Sequence, residues 1–493
     1  MAKEQPSLFT AFIPILFLIL FLTLNVLFFG DATLDGSNQI ALMLASSVAT
    51  IIAIRQGQSW KQVRQSIVKS ISTSMPAMLI LLLIGSLAGT WLISGVVPAM
   101  IYYGLKIIHP SVFLFTAVVV SGIVSLVTGS SWSTIATIGV ALLGIGKAMG
   151  IHEAMIAGAI ISGAYFGDKM SPLSDTTNLA PAMTGTDLFT HIRYMLITTV
   201  PAISIALVLF LIIGVTYEFG DVNLDIEKVS TAIQNEFNIT PWLFLVPIIL
   251  FIIIIKKMPP LPALLIGTLL GAVFAIVFQP GTIKYIAGEE TVFWKAAYIS
   301  SMKAMYGSID IPSSNPIVDE LFSTGGMAGM LNTIWLIISA MIFGGVMEAA
   351  GLLKRISVAI ISMAKSTGSL IGSTLTTCIF FNITASDQYI SIVVPGRMFA
   401  PTFRERGLKP EVLSRTLEDG GTVTSVLIPW NTGGATQARV LGVSTWTYLP
   451  YCFFNILSPI ISLTIGFLNY KIRRYKTGEP EEHGLTEDER RDY

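Results

Sequence analysis

The segment Phe166-Gly167-Asp168-Lys169-Met170-Ser171-Pro172-Leu173-Ser174-Asp175-Thr176-Thr177-Asn178 interrupts an apolar helical pattern with a glycine, a proline and ionisable side chains. After a shift of 257 residues it falls on Val423-Thr424-Ser425-Val426-Leu427-Ile428-Pro429-Trp430-Asn431-Thr432-Gly433-Gly434, a second interruption of similar kind. Upstream of each lies another break: Val127-Thr128-Gly129-Ser130-Ser131-Trp132-Ser133-Thr134 in the first half and Thr384-Ala385-Ser386-Asp387-Gln388-Tyr389 in the second. Non-helical backbone at membrane depth is tolerated only where protein or a water-filled cavity takes up its freed N–H and C=O groups. Both breaks of each half are therefore expected to face a cavity.

A membrane setting follows from composition. Of 493 residues 53% are hydrophobic and only 12% charged, which is not the balance of a soluble enzyme. A bilayer core takes about 20 apolar residues per helix, and such runs recur from residue 8 to residue 470, enough for roughly ten crossings. The first run, Leu8 to Gly30, follows a single Lys3 and lacks a small-residue cleavage pattern, so it reads as a membrane helix and not as a removed signal. Formal net charge is zero and no long basic tract is present, which leaves nucleic-acid binding without support.

The same offset aligns the halves from the third helix nearly to the end of the sixth. Leu79-Ile80 meets Leu336-Ile337, Gly139 meets Gly396, Gly163 meets Gly420, Pro172 meets Pro429, Gly185 meets Gly442 and Trp132 meets Tyr389. Lys and Arg collect in Arg55 to Lys69, Lys256-Lys257, Lys354-Arg355, Arg404 to Lys409 and Lys471 to Lys476, segments expected on the cytoplasmic side. Arg404 to Lys409 corresponds to Lys147 to His152, which has a single Lys, whereas His191 and Arg193 correspond to the uncharged Tyr448 and Pro450. The copies are therefore expected to be inverted. The fold class expected is an all-α polytopic membrane protein of two inverted-topology repeats, each with about five transmembrane helices, re-entrant hairpins and broken helices. Residues 1–216 form the first repeat, 217–238 an extracytoplasmic linker rich in acids, 239–475 the second repeat and 476–493 a polar cytoplasmic tail. The N-terminus is likewise placed in the cytoplasm of a bacterial inner membrane. The amphipathic pieces Val96 to Ile108 and Leu352 to Lys365 are expected to lie along the interface.

The residue types in the breaks suit a small hard cation, which needs unwound carbonyls, hydroxyls, amides and a carboxylate at the ends of half-helices. In the first copy the candidates are Thr128, Gly129, Ser130, Ser131, Ser174, Thr176, Thr177 and Asn178 with Asp168 and Asp175. In the second they are Thr384, Ser386, Asn431, Thr432 and Gly433 with Asp387 and Asp419. An ionisable group inside a membrane segment is costly unless partnered, so each aspartate needs a reason to be there. Asp175 and Asp387, set between polar neighbours, come first. Asp168 has the alternative of pairing with Lys169 or capping a half-helix, and Asp419, beside Glu418, that of ordinary helix surface. Thr128 to Ser131 is expected to face Ser174 to Asn178, and Ser386 to Asp387 to face Asn431 to Gly434.

Gly167 to Asn178, continued by Ala180-Pro181-Ala182-Met183-Thr184-Gly185-Thr186-Asp187, resembles the signature of the NhaC family of Na⁺/H⁺ antiporters, and the likeness extends to Trp430-Asn431-Thr432-Gly433-Gly434. It implies a superfamily plan of inverted repeats with a scaffold part, a transport part and opposed hairpins. It also implies that the cation is Na⁺, held at Ser130, Asp175, Asn178, Asp387 and Asn431, with H⁺ competing at the buried carboxylates. The family includes exchangers that couple Na⁺ and H⁺ to malate and lactate, so the alternative substrate is a small carboxylate. Lipid, Na⁺, H⁺ and a second copy in a homodimer are the expected partners, and no cofactor is expected. A passive channel using the same breaks as a filter is the more distant alternative.

Other chemistry fails on its own requirements. Gly146-Lys147 is followed by Ala148, and position 141 is Ala, so no nucleotide-binding Gly-x4-Gly-Lys-Ser/Thr loop exists. His152-Glu153 has Ile156 where a zincin helix needs a second His. Cys378 and Cys452 sit in apolar runs and read as packing residues. No nucleophile–base pair is visible, and an enzyme is not expected. Glu348 and Trp91 occupy matching positions, Glu348 reading as either intramembrane or a neighbour of Lys354.

Overall fold

In lipid a backbone must satisfy its own polar groups, and the apolar runs accordingly become helices. The computed structural model describes residues 6–29, 36–217, 222–256, 258–313, 319, 321–362 and 364–475. Lys3, Lys257, Lys476 and the expected tail 476–493 lie outside the described residues. The first copy comprises α1 (Leu8–Phe29), α2 (Ser37–Arg55), α3 (Trp60–Ile93), α4 (Val96–Ile107), α5 (Phe113–Thr128), α6 (Ser131–Ala148), α7 (Glu153–Met170), α8 (Asp175–Thr184) and α9 (Leu188–Thr216). After α10 (Val222–Glu236) come α11 (Leu245–Ile255), α12 (Pro260–Phe278), α13 (Pro280–Ala287) and α14 (Phe293–Tyr306). A two-stranded hairpin, β1 (Ile309–Asp310) with β2 (Ser323–Thr324), precedes α15 (Leu331–Ala349), α16 (Leu352–Ser362), α17 (Thr367–Thr384) and α18 (Ile390–Glu405). The chain ends with α19 (Pro410–Leu417), a π turn at Glu418–Thr422, α20 (Val423–Ser425), α21 (Thr432–Leu441), α22 (Thr445–Tyr448) and α23 (Phe453–Phe467). Among the described residues eight helices are long and apolar enough to cross a membrane, and two bent pairs raise the number to ten.

The backbone repeats at the offset read from the sequence. α8 and α21 have the same bounds after a shift of 257 residues, as do the ends of α6 and α18 and the starts of α7 and α19. Left-handed residues recur likewise at Gly150 and Gly407 and at Gly185 and Gly442. Gly129, at φ 71°, pairs with Ser386, at φ 58°, so the second copy holds a serine in a conformation that costs any residue with a Cβ. The copies differ where proline intervenes. α9 runs unbroken, whereas its counterpart bends by 59° between Thr445–Tyr451 and Phe453–Phe467, where Pro450 replaces Arg193 and removes a backbone donor.

The segment 217–238 is more than a linker. Within it α10 is helical and buries Val229, Ala232 and Ile233, followed by Phe237, in the main core. Five acids keep the segment polar overall, but the apolar residues recur at helical spacing and pay for its docking. Glu348 is exposed in the last turn of α15, while Trp91 is buried and donates from Nε1 to the Gly267 carbonyl at 3.2 Å.

Three apolar clusters hold the helices. One joins α1, α2, α3 and α15 through residues such as Leu18, Ala45, Leu81 and Phe343; a large one spans α3 to α7, α9 to α14 and α20 to α23; a third packs α17, α18 and α19 against Ala180 and Tyr194. α5 and α7 approach so closely that a Cβ on Gly163 or Gly167 would lie 2.2 Å from the Val118 or Gly122 carbonyl oxygen. These small residues one turn apart let two backbones meet. Gly163→Leu and Gly167→Leu are each expected to cost at least the ~1–3 kcal/mol of overpacking and to collapse the monodisperse peak in fluorescence-detected size exclusion. A wild-type profile would show that the contact is dispensable.

Candidate ion site

α7 ends at Met170 because Ser171 turns extended and Pro172 follows. Its freed carbonyls are collected locally: Thr177 Oγ1 donates to the Asp168 and Lys169 carbonyls at 3.2 and 3.1 Å, and Asn178 Nδ2 donates to those of Pro172 and Ser174 at 2.9 and 2.7 Å. Ser174 Oγ then accepts from Thr177 N and starts α8. α8 ends on Gly185, and Asp187 caps α9 by accepting from Thr190 N at 3.0 Å. Hydrogen bonds from Thr190 hold the exposed Asp187 carboxyl below its usual range.

The first break lies against the second. Gly129 comes so close to Leu173 that a Cβ would sit 2.6 Å from the leucine Cβ. Between and beside them opens a cavity of about 940 Å³, lined by Thr128, Gly129, Ser130, Asp168, Ser174, Asp175 and Thr176, with Trp132, Gln388 and Tyr389. α3 contributes Thr73, Pro76 and Ile80, the α11–α12 connection contributes Met258 and Pro259, and the start of α12 contributes Pro260 to Pro262. Among the described lining residues there is no Lys, Arg or His. Asp168 accepts from Ser131 N at 3.1 Å and Ser131 Oγ at 2.6 Å, so its carboxylate sits on the N-terminus of α6, where helix dipole and free N–H groups favour an anion. Asp175 stands exposed in the cavity wall, in the first turn of α8.

The second copy closes on itself. Thr432 N donates to the Ser386 carbonyl at 2.9 Å, joining its two breaks. Asp387 is buried: Oδ1 accepts from Tyr389 N and Ile390 N at 2.9 and 3.0 Å, and Oδ2 from Ser74 Oγ at 3.2 Å. It therefore caps α18 and ties it to α3. Asn431 Nδ2 reaches the Asn382 carbonyl at 3.0 Å, and its Oδ1 accepts from Gly433 N at 2.9 Å. Thr384 bonds back to the Phe380 carbonyl at 2.7 Å, while Gly433 packs on Ser425. The five positions expected to hold Na⁺ are thus divided. Ser130 and Asp175 line the cavity, whereas Asn178, Asp387 and Asn431 brace the backbone outside it, because each copy's breaks satisfy their own polar groups.

Of the alternatives for the remaining aspartates, Asp168 sits at the start of the half-helix α6, and the other two change. Asp168 does not pair with Lys169, since adjacent residues on a helix point to different sides. Lys169 crosses instead to the second copy, where its Nζ meets Asp419 Oδ1 and lies 3.0 Å from Ser458 Oγ. Asp419 is not helix surface: it is fully buried and also accepts from Ser458 Oγ at 2.7 Å and Thr198 Oγ1 at 3.2 Å. Arg415 Nε lies 3.7 Å from Asp419 Oδ2. Lys169 as a partner, Arg415 and Glu418 were not among the expected site residues. Their signal is three ionisable residues, Arg415, Glu418 and Asp419, within a span of five followed by Gly420-Gly421, too much charge for a lipid-facing surface.

The sequence pattern of the Na⁺/H⁺ antiporter family matches residues 163–470, which contain the second half of α7, the break that follows it and every helix from α8 to α23. The chain belongs to the Na⁺/H⁺ antiporter family. A malate-2H⁺/Na⁺-lactate antiporter of Bacillus subtilis is 36% identical over 94% of this chain and 95% of the relative. The Na⁺/H⁺ antiporter NhaC of Alkalihalophilus pseudofirmus is 35% identical over 87% of this chain and 90% of its own length. The arginine/ornithine antiporter ArcD of Halobacterium salinarum is 34% identical over 95% and 94%. This antiporter-family chain is a multi-pass membrane protein, and family membership places its activity with transporters.

Proposed function

We propose that the chain is a secondary Na⁺/H⁺ antiporter of the bacterial plasma membrane, in which Na⁺ and H⁺ compete at Asp168 and Asp175. The observation that carries this reading is the cavity with two carboxylates, several hydroxyls and no basic side chain among its described lining residues. A site of that charge attracts a cation or a proton and repels an anion. Competition at one carboxylate suffices for coupling: it holds Na⁺ where Na⁺ is abundant and H⁺ where protons are, so one gradient drives the other. Asp168 takes precedence over Asp175 and Asp387, since it is buried, borders the cavity and rests on a helix N-terminus. Exchange of a small carboxylate is the second reading, favoured by the malate/lactate relative and by a volume well beyond what Na⁺ needs. Such a substrate would enter with its own Na⁺ or protons to offset the two aspartates. Radioactive-sodium uptake into proteoliposomes under an opposing pH gradient separates the readings. Uptake independent of malate and lactate supports simple exchange, and uptake that requires either supports the second.

The two copies are proposed to run in opposite directions across the bilayer, on the charge difference between their matched segments. The cavity borders the α11–α12 connection next to Lys256, so it would open to the cytoplasm. Single cysteines at positions 148–151 are expected to react with an impermeant maleimide from outside the cell, and those at positions 405–408 only after cytoplasmic access. Reaction of both from one side excludes inversion.

A further inference from the structure

Away from the cavity, Lys169, Arg415, Glu418 and Asp419 form a fully buried cluster where α7, α19, the π turn and α23 meet. We propose that Glu418 is a second proton-carrying site, distinct from the cavity carboxylates and coupled to them through Lys169 and Asp168; the proposal rests on the antiport reading.

The members of the cluster are not equally served. Asp419 takes Lys169, Ser458 and Thr198. Both Glu418 oxygens are buried without a hydrogen-bond partner, and Thr422 Oγ1, one turn along, lacks one too. No guanidinium nitrogen of Arg415 makes a hydrogen bond; the group lies 5.0 Å from the Tyr194 ring centre and shares Asp419 with Lys169. With both carboxyls ionised the cluster is neutral, two positive charges against two negative. With a proton on Glu418 it carries one net positive charge. The ionised form therefore gains charge balance but holds a negative charge on buried oxygens without hydrogen bonds, and the protonated form removes that charge and gives up the balance. Neither form is strongly favoured by geometry, which is what a site that gains and loses a proton in each cycle requires. Glu418 also opens the π turn, and such widened turns concentrate at functional positions.

The surroundings set the direction of coupling. Asp168, Lys169 and Asp419 are the charges that act on Glu418, and the Cys378 thiol of α17 faces it. His191 of α9 faces the Lys169–Asp419 pair, held 2.7 Å from Ser414 Oγ. The last turn of α7 points Asp168 into the cavity and Lys169 into the cluster. Na⁺ arriving beside Asp168 cancels the negative charge there, and the positive charge then favours ionised Glu418. A proton leaves as Na⁺ enters, the sense an antiporter needs. Each cycle would move one more proton than cavity competition alone.

The test uses the full chain in proteoliposomes, with radioactive-sodium flux and an internal pH dye counting protons moved per Na⁺ across the neutral to alkaline range. Glu418→Gln is expected to lower that count by one proton and to change the response to an imposed membrane potential, with Na⁺ KM at the alkaline end within about twofold of wild type. An unchanged count overturns the proposal; a merely structural role would alter yield and leave the count as it was. Should Glu418→Gln not fold, infrared difference spectra of wild type and Glu418→Asp on raising pH decide. The carboxylic-acid band lost on alkalinisation must move with the aspartate substitution, and a band at the same position overturns the proposal. If wild type exchanges no protons for Na⁺, the antiport reading fails, and the infrared titration still reports whether Glu418 exchanges its proton.

Discussion

Asp168→Asn is expected to abolish pH-dependent Na⁺ exchange while the protein still inserts and folds. The asparagine oxygen can accept from Ser131 N and Oγ as the carboxylate does, so the link between α7 and α6 survives. What disappears is the charge that holds Na⁺ and the group that titrates against it. Loss of an outer-shell support lowers metal affinity by about 10–100-fold, so loss of the liganding carboxylate is expected to exceed roughly 100-fold. Asp387→Asn makes the contrast. Its oxygen keeps the cap on Tyr389 and Ile390, and its amide can face the Ser74 hydroxyl, so exchange with a normal pH profile is expected. Flux assays across pH that gave the opposite ranking, with Asp168→Asn normal and Asp387→Asn dead, would move the site to the second copy.

Lys169→Met is expected to be among the most destabilising single changes in the transport core. It leaves Asp419 in a fully buried position with Arg415 at 3.7 Å and two hydroxyls as its remaining partners. Breaking a buried pair by removing one member costs about 3–5 kcal/mol, whereas replacing both members costs far less. Lys169→Met with Asp419→Asn should therefore melt at a higher temperature than Lys169→Met alone, measured by tryptophan fluorescence in detergent. A single variant that melts like wild type, or a double variant that melts lower still, would mean that the pair does not hold the two copies together. The same pair explains why the lysine of the signature follows its aspartate directly: one helix turn serves two sites on opposite sides.

The local code is legible along the chain. Apolar length marks the helices, Pro172 and Pro429 mark the breaks, and the offset of 257 residues appears again in the bounds of α8 and α21 and in the left-handed residues. These are properties of backbone and solvent: lipid demands internal hydrogen bonding, and proline or glycine decides where that fails. The acidic connection after α9 misled because its charges are visible in composition while its buried face at Val229, Ala232 and Ile233 is a matter of period. Which aspartate faces the cavity and which is buried against another helix was not legible, since Asp175 and Asp387 have similar polar neighbours in the chain and Asp168 has Lys169 beside it as an apparent partner. Packing decided it: Asp387 met Ser74 across 313 residues, and Lys169 met Asp419 across 250. Sequence by itself thus determined a twice-built membrane fold with polar breaks. Only the tertiary structure assigned each charge its partner, because a buried charge is settled by whatever helix arrives beside it, and a one-dimensional pattern carries no record of that arrival.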